Sequence, residues 1–225
     1  MTTQRILQVV GFTILSIGLM MPHSSQAQDS NLGNWLIYIG NKQLNAKWNL
    51  HHEVQLRNYN AIGDLEQLLL RTGIGYSFDD NKKNMLLGYG FIQSENYSDD
   101  NTYKLPTSEH RIFQQYISKQ SIGKISLQHR FRFEQRFAGS DFKLRLRYFT
   151  GATLPISNGN NNKFYLSAYN EIFLNSEKEF FDRNRLYGGI GYNYSKTIRF
   201  ELGYMNQFFE TSSRDQINII SFVSF

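Results

Sequence analysis

KISLQHRFRFEQRF, residues Lys124 to Phe137, decides the fold. Taken at every second position, Ile125, Leu127, His129, Phe131, Phe133 and Gln135 form one set. The other set is Ser126, Gln128, Arg130, Arg132, Glu134 and Arg136. Successive side chains of a strand point to opposite sides, so the segment has one mostly apolar face and one densely charged face. A soluble antiparallel sheet can show that pattern once. Here it recurs along the chain, which places the apolar face against lipid and the charged face inside a barrel.

The neighbouring stretches repeat the alternation. Trp48, Leu50, His52, Val54 and Leu56 oppose Asn49, His51, Glu53, Gln55 and Arg57. Leu68 to Phe78, Met85 to Phe91, Phe142 to Tyr148, Phe164 to Ile172 and Ile198 to Tyr204 carry apolar sets against polar or small ones. Short polar turns, Asn58 to Asp64 and Asp79 to Lys83, separate them. Longer polar loops are expected at Asn96 to Thr107 and Asn175 to Asp182, and an Asn-rich turn at Ser157 to Asn162. About eleven strand-like segments of roughly 10 to 15 residues result, the length a tilted strand needs to cross a bilayer. No amphipathic helix of useful length, linker or second domain is visible.

Composition narrows the class. The 225 residues suit one domain; 15% are aromatic while mean hydropathy is only −0.46, as alternating strands require. The net charge of +5 comes from Arg residues interleaved singly with aromatics, not from a basic patch, so no nucleic-acid partner is expected. Absence of Cys excludes disulfides, zinc thiolates and thiol nucleophiles. No cofactor is expected. Five His without a repeated ligand spacing give no chelating set, and hence no metal.

The first residues read as an export signal. Arg5 precedes an apolar run from Ile6 to Met21, and Ser25-Gln26-Ala27 is a small-residue cleavage box. The expected division is a signal peptide over 1–27 and a barrel over 28–225. At the other end, Phe225 with Val223, Ile219 and Ile217 in phase resembles the C-terminal signal of bacterial outer-membrane barrels, which their assembly machinery reads. Location in the bacterial outer membrane, with its lipids and that machinery as partners, follows as the expectation. A secreted β-sandwich or lipocalin-like barrel would leave Arg130, Arg132 and Arg136 in solvent, and its denser turns would call for more than three Pro. Trp35, Trp48, Tyr76, Tyr148, Tyr194 and Tyr204 near strand ends suit aromatic girdles.

HRFRFEQRF (His129 to Phe137), LRLRY (Leu144 to Tyr148), YNEIF (Tyr169 to Phe173), NRLYGGIGY (Asn184 to Tyr192) and ELGYMNQ (Glu201 to Gln207) together resemble the DUF2490 family. The resemblance spans essentially the whole mature chain. It implies an exported, predominantly β protein of Gram-negative bacteria, an outer-membrane barrel with no agreed active site to carry over. The fold expected is therefore all-β, a single closed antiparallel transmembrane barrel of about twelve strands, with ten as the alternative. Even counts are the rule for such barrels, and Asn34 to Leu44 is the segment that spoils the parity.

Alternation puts Arg130, Arg132, Glu134, Arg136, Arg145, Arg147, Glu171 and Arg185 in the lumen as a candidate charge cluster. Three functions compete for it. A structural barrel would use these groups to fill its interior with paired charges, which Arg does well. A narrow anion-preferring channel or solute-binding, porin-like protein would use the excess of inward Arg. A lipid-modifying acyl hydrolase or transferase would need a Ser–His–acid set, and His51 with Glu53, or His110 with Glu109, has no Ser tied to it by spacing. An enzyme is not expected.

Overall fold

Each alternating segment pairs with the next one in the chain, so the sheet grows strand by strand until its first and last members meet. The computed structural model describes residues 32–60, 63–156, 163–177 and 179–225. Its strands are β1 Gly33–Gln43, β2 Trp48–Asn58, β3 Leu65–Phe78, β4 Lys83–Tyr97, β5 Lys104–Ile122 and β6 Ile125–Ala138. They continue as β7 Asp141–Pro155, β8 Phe164–Asn175, β9 Phe181–Asn193, β10 Ile198–Phe208 and β11 Ser213–Ser224. All eleven close into one barrel. The export signal with its cleavage box, and the turn Ser157 to Asn162, lie outside the described residues.

The count is eleven, between the ten and twelve expected, and the odd number has a topological consequence. Neighbours in sequence run antiparallel throughout, but β1 and β11 run parallel, from Gly33 opposite Gln216 to Asn41 opposite Ser224. An odd stave count forces that one parallel seam. Asn34 to Leu44 is thus a full stave rather than a spare segment. The seam is tied at its end by Phe225, whose backbone N–H donates to Asn41 O at 2.9 Å and whose carbonyl accepts from Gln43 N at 3.0 Å. It also places the start of β1 and the end of β11 at opposite mouths. The mouth at the start of β1 carries connections 59–64, 98–103, 139–140, 176–180 and 209–212, and is called here the first mouth. The expected loop Asn96 to Thr107 shrinks to 98–103, because β4 and β5 pair out to Tyr97 and Lys104.

The two faces separate by polarity in the sense opposite to a soluble protein. Outward side chains are large and apolar: Met85, Leu87, Phe131, Leu146 and Leu202 are all more than half exposed. Inward ones include Arg132, Glu134, Arg145, Arg147, Glu171 and Glu201, all buried. An apolar sector of the lumen lies at the seam, where Trp35, Ile37, Tyr187, Met205 and Ile220 pack together. Inward glycines make room for aromatic rings. A Cβ on Gly88 would collide with the Phe113 ring, and one on Gly203 with the Tyr187 ring. A ring lying across a glycine of the adjacent strand fills the gap and lets the wall curve tightly.

A charged lumen as the candidate functional site

Strands β5 to β9 deliver the charged side chains, because residues two apart on each strand share the inner face. Glu134 sits at the centre. Its carboxylate accepts from Arg145 Nη2 at 2.6 Å and Nε at 3.0 Å, and from Arg147 Nη1 at 2.7 Å. Arg132 Nη1 stands 3.6 Å away and Arg111 Nη1 4.0 Å away. Arg147 turns its other side to Glu171, donating from Nη2 at 2.7 Å and Nε at 3.1 Å. Glu171 also accepts from Arg130 Nη2 at 2.7 Å, with Arg185 Nη1 at 3.8 Å. Arg136 belongs to a separate knot, where Glu109 accepts from Arg136 Nε and Arg111 Nε, each at 2.6 Å. All eight candidate residues therefore lie in the lumen. Seven gather around Glu134 and Glu171, and Arg136 joins them through Glu109 and Arg111.

Guanidinium groups also lie on inner aromatic rings. Arg145, Arg147 and Arg185 stand 5.4, 4.4 and 4.5 Å from the Phe173 centroid, and Arg132 stands 4.6 Å from that of Phe113. Phe173 and Phe113 are buried. Charge pairing and ring stacking together fix each guanidinium on two sides, and planar Arg suits both contacts.

Two further ion-paired acids come from β-bulges. Arg57 pairs with Gln67 and Asn58 with Leu65, which leaves Glu66 as the extra residue. Phe173 pairs with Arg183 and Leu174 with Phe181, which leaves Asp182. A bulge redirects the side chain of the added residue. Glu66 thereby reaches Arg214 at 2.8 Å, and Asp182 reaches Arg145 and Arg183, each at 3.0 Å. Simple alternation misses both, since a bulge breaks the period of two.

Trp35 is the clearest departure from expectation. It is not part of an outer girdle but faces the lumen, 4% exposed, with Arg57 at 3.8 Å and Arg185 at 4.8 Å from its ring. Alternation in β1 has apolar residues on both faces, so no polar contrast marks which side is inner. Trp48 and Tyr76 do meet on the outside, edge to face at 5.1 Å.

Of the two acid–base pairs expected from sequence, one stays together inside the barrel and the other is split by the wall. His51 is inward, 3.4 Å from Glu53, which pairs with Arg71 at 3.1 Å. No serine hydroxyl is hydrogen-bonded to His51 or Glu53 among the described residues. His110 is outward and shares a 2.5 Å hydrogen bond with the Tyr89 hydroxyl, so it does not work with inward Glu109. Glu201 is held by two phenols, Tyr187 at 2.8 Å and Tyr165 at 3.0 Å. Among the described residues no group of three or more His, Asp or Glu is arranged to hold a metal ion. At the first mouth, a recess of about 520 Å³ opens between Glu109, Arg136, Asp141, Lys143, Glu177 and Glu179.

Loop charges at that mouth are tied as well. The Asp64 carboxylate accepts from Lys104 Nζ and from the Tyr97 hydroxyl at 2.9 Å, joining loop 59–64 to the β4–β5 hairpin. The Lys104 hydrogen bond, more than any other contact, holds its pKa below the ordinary Asp range. Asp100, which accepts from Ser98 and Thr102, is lowered to about 2.

Known proteins place the chain in a family without assigning it a reaction. No solved structure matches it. An uncharacterised protein of Methylorubrum extorquens is 30% identical over 166 residues, covering 69% of each chain. Residues 32–218 match the model of a family described as a protein of unknown function, DUF2490. That span runs from the start of β1 into β11 and takes in nearly the whole barrel: the chain belongs to the DUF2490 family.

Proposed function

We propose that this protein is a bacterial outer-membrane barrel whose lumen is sealed by its own ion pairs, a structural wall and not a conduit. One observation carries the reading. Arg132, Glu134 and Glu171 are 3%, 0% and 3% exposed although they lie on the inner wall of an open-ended barrel. Side chains from β5 to β9 cover one another there, which keeps water off the central charges. Exposed apolar side chains on the outer face, Met85, Leu87, Phe131, Leu146 and Leu202 among them, support the membrane assignment, and closure removes strand edges that lipid does not tolerate. The export signal read from the first 27 residues supports it too, and Phe225 is the residue offered to the assembly machinery.

Reconstitution into planar bilayers tests the seal. The wild-type protein is expected to give no stepwise conductance. Steady, anion-selective steps would replace this reading with the channel. That second reading draws on Arg199, which lies 4.0 Å from the Phe222 ring and has no carboxylate partner among the described residues.

A further inference from the structure

The two mouths of the barrel carry opposite charge. Connections 44–47, 79–82, 123–124, 156–163 and 194–197 form the second mouth, where Phe225 also lies. Each of them contributes one lysine, Lys47, Lys82, Lys124, Lys163 and Lys196, against two acids, Asp79 and Asp80. The first-mouth connections carry six acids, Asp64, Asp99, Asp100, Glu177, Glu179 and Glu210, against Lys178 alone. Antiparallel staves set this distribution. Successive connections alternate between the two ends, so a lysine in every second one collects into a ring around the rim. Single lysines far apart in the chain show no basic patch in the sequence.

The ring lysines are exposed, as are Lys42, Lys119 and Arg199 beside them. Among the described residues of this end only Lys83 makes an ion pair, with Asp79 at 3.0 Å. Backbone hydrogen bonds tie the rim together: Ser77 N donates to Lys47 O, Lys119 N to Lys82 O and Asn193 N to Lys163 O, each at 2.7 Å. The rim that carries the charges is thus held by the sheet itself. Next to it the outer face turns aromatic, with Trp48 against Tyr76, Phe164 against Tyr192 and Tyr194 against Phe200. Lys47 Nζ stands 5.9 Å from the Tyr76 ring. Amphipathic rings settle at the headgroup level of a bilayer, and basic residues there are drawn to anionic headgroups. A soluble anionic polymer calls for cations along one groove, and it leaves the aromatic collar without hydrocarbon.

We propose that the second mouth docks on anionic glycerophospholipids. The lysine ring holds their phosphates while the aromatic collar lies against the headgroup end of the acyl chains. Short connections mark the periplasmic end of outer-membrane barrels, and four of the five here have four residues or fewer, which selects the glycerophospholipid leaflet. This inference rests on the membrane reading of the barrel and names the lipid met at one end of it.

Trp48, next to Lys47, reports the local lipid. The full-length Trp35→Phe protein is folded into vesicles holding one fixed fraction of phosphatidylglycerol in phosphatidylcholine, and its folding is checked by heat-modifiable gel mobility. Bromine is placed either on the phosphatidylglycerol or on an equal amount of phosphatidylcholine. Brominated phosphatidylglycerol should quench Trp48 at least about twofold more strongly. About 1 M NaCl should remove the excess, because screening then acts within about 3 Å. The triple variant Lys42→Gln, Lys47→Gln, Lys82→Gln should lose it too, with quenching by brominated phosphatidylcholine unchanged. Phe142 is outward at the first mouth, and Phe142→Trp in a chain with Trp35→Phe and Trp48→Phe should show no excess. Equal quenching of Trp48 by the two lipids overturns the inference. So does an excess that survives salt or the triple variant, or one that is as large at Phe142→Trp. Quenching by neither lipid removes the membrane reading itself, and the inference with it.

Discussion

Removing the Glu134 carboxylate leaves Arg145 and Arg147 facing each other, with Arg132 and Arg111 close by and no acceptor between them. Breaking a buried pair from one side costs about 3 to 5 kcal/mol, because the remaining charges stay desolvated. Glu134→Ala should therefore lower the unfolding free energy measured in urea by that amount, with Glu134→Gln losing less because its oxygen still accepts. Glycines give a second residue-scale prediction. Gly88→Val and Gly203→Val press on the Phe113 and Tyr187 rings and should cost about 1 to 3 kcal/mol in the same assay. Gly188→Ala, whose new Cβ meets nothing within 4 Å, should leave the midpoint unchanged. Parity alone made the inward Arg and Glu legible, since the period of two holds through β5 to β8. It could not reveal Glu66 or Asp182, whose orientation depends on a bulge, nor Trp35, whose strand has apolar residues on both faces.

Strands were legible as elements, but their partners were not. Alternation identifies a stave without saying what closes the ring, so the parallel seam follows only once eleven staves are counted. A disulfide tests that closure in a chain that has no Cys of its own. Leu36 and Ile219 are opposite each other across the seam, so the double variant Leu36→Cys, Ile219→Cys should cross-link within one chain on mild oxidation. A ten-stave barrel without β1 gives no such product. The clasp at the first mouth carries a pH dependence. Asp64 is more acidic folded than unfolded, so its contribution is complete above about pH 4 and is lost as pH falls through its lower folded value. Protease nicking of 59–64 and 98–103 should rise between pH 5 and pH 3 in the parent. In Lys104→Met it should be high already at pH 5 and change little.

At the scale of the molecule, the defining feature is an inversion: apolar side chains outside, paired charges inside. Neither of the soluble folds considered from sequence produces it, and a lumen filled largely by paired Arg and Glu accounts for a wall that stands with only a small apolar sector inside. The two tryptophans fall on opposite sides of that wall, Trp48 outside at 41% exposure and Trp35 inside at 4%. Fluorescence in vesicles of lipids brominated near the headgroup end of the acyl chain therefore tests the inversion most directly. With Trp48 alone, in Trp35→Phe, emission should be strongly quenched; with Trp35 alone, in Trp48→Phe, it should be untouched. Quenching of Trp35 with Trp48 spared, or of neither, would contradict the account.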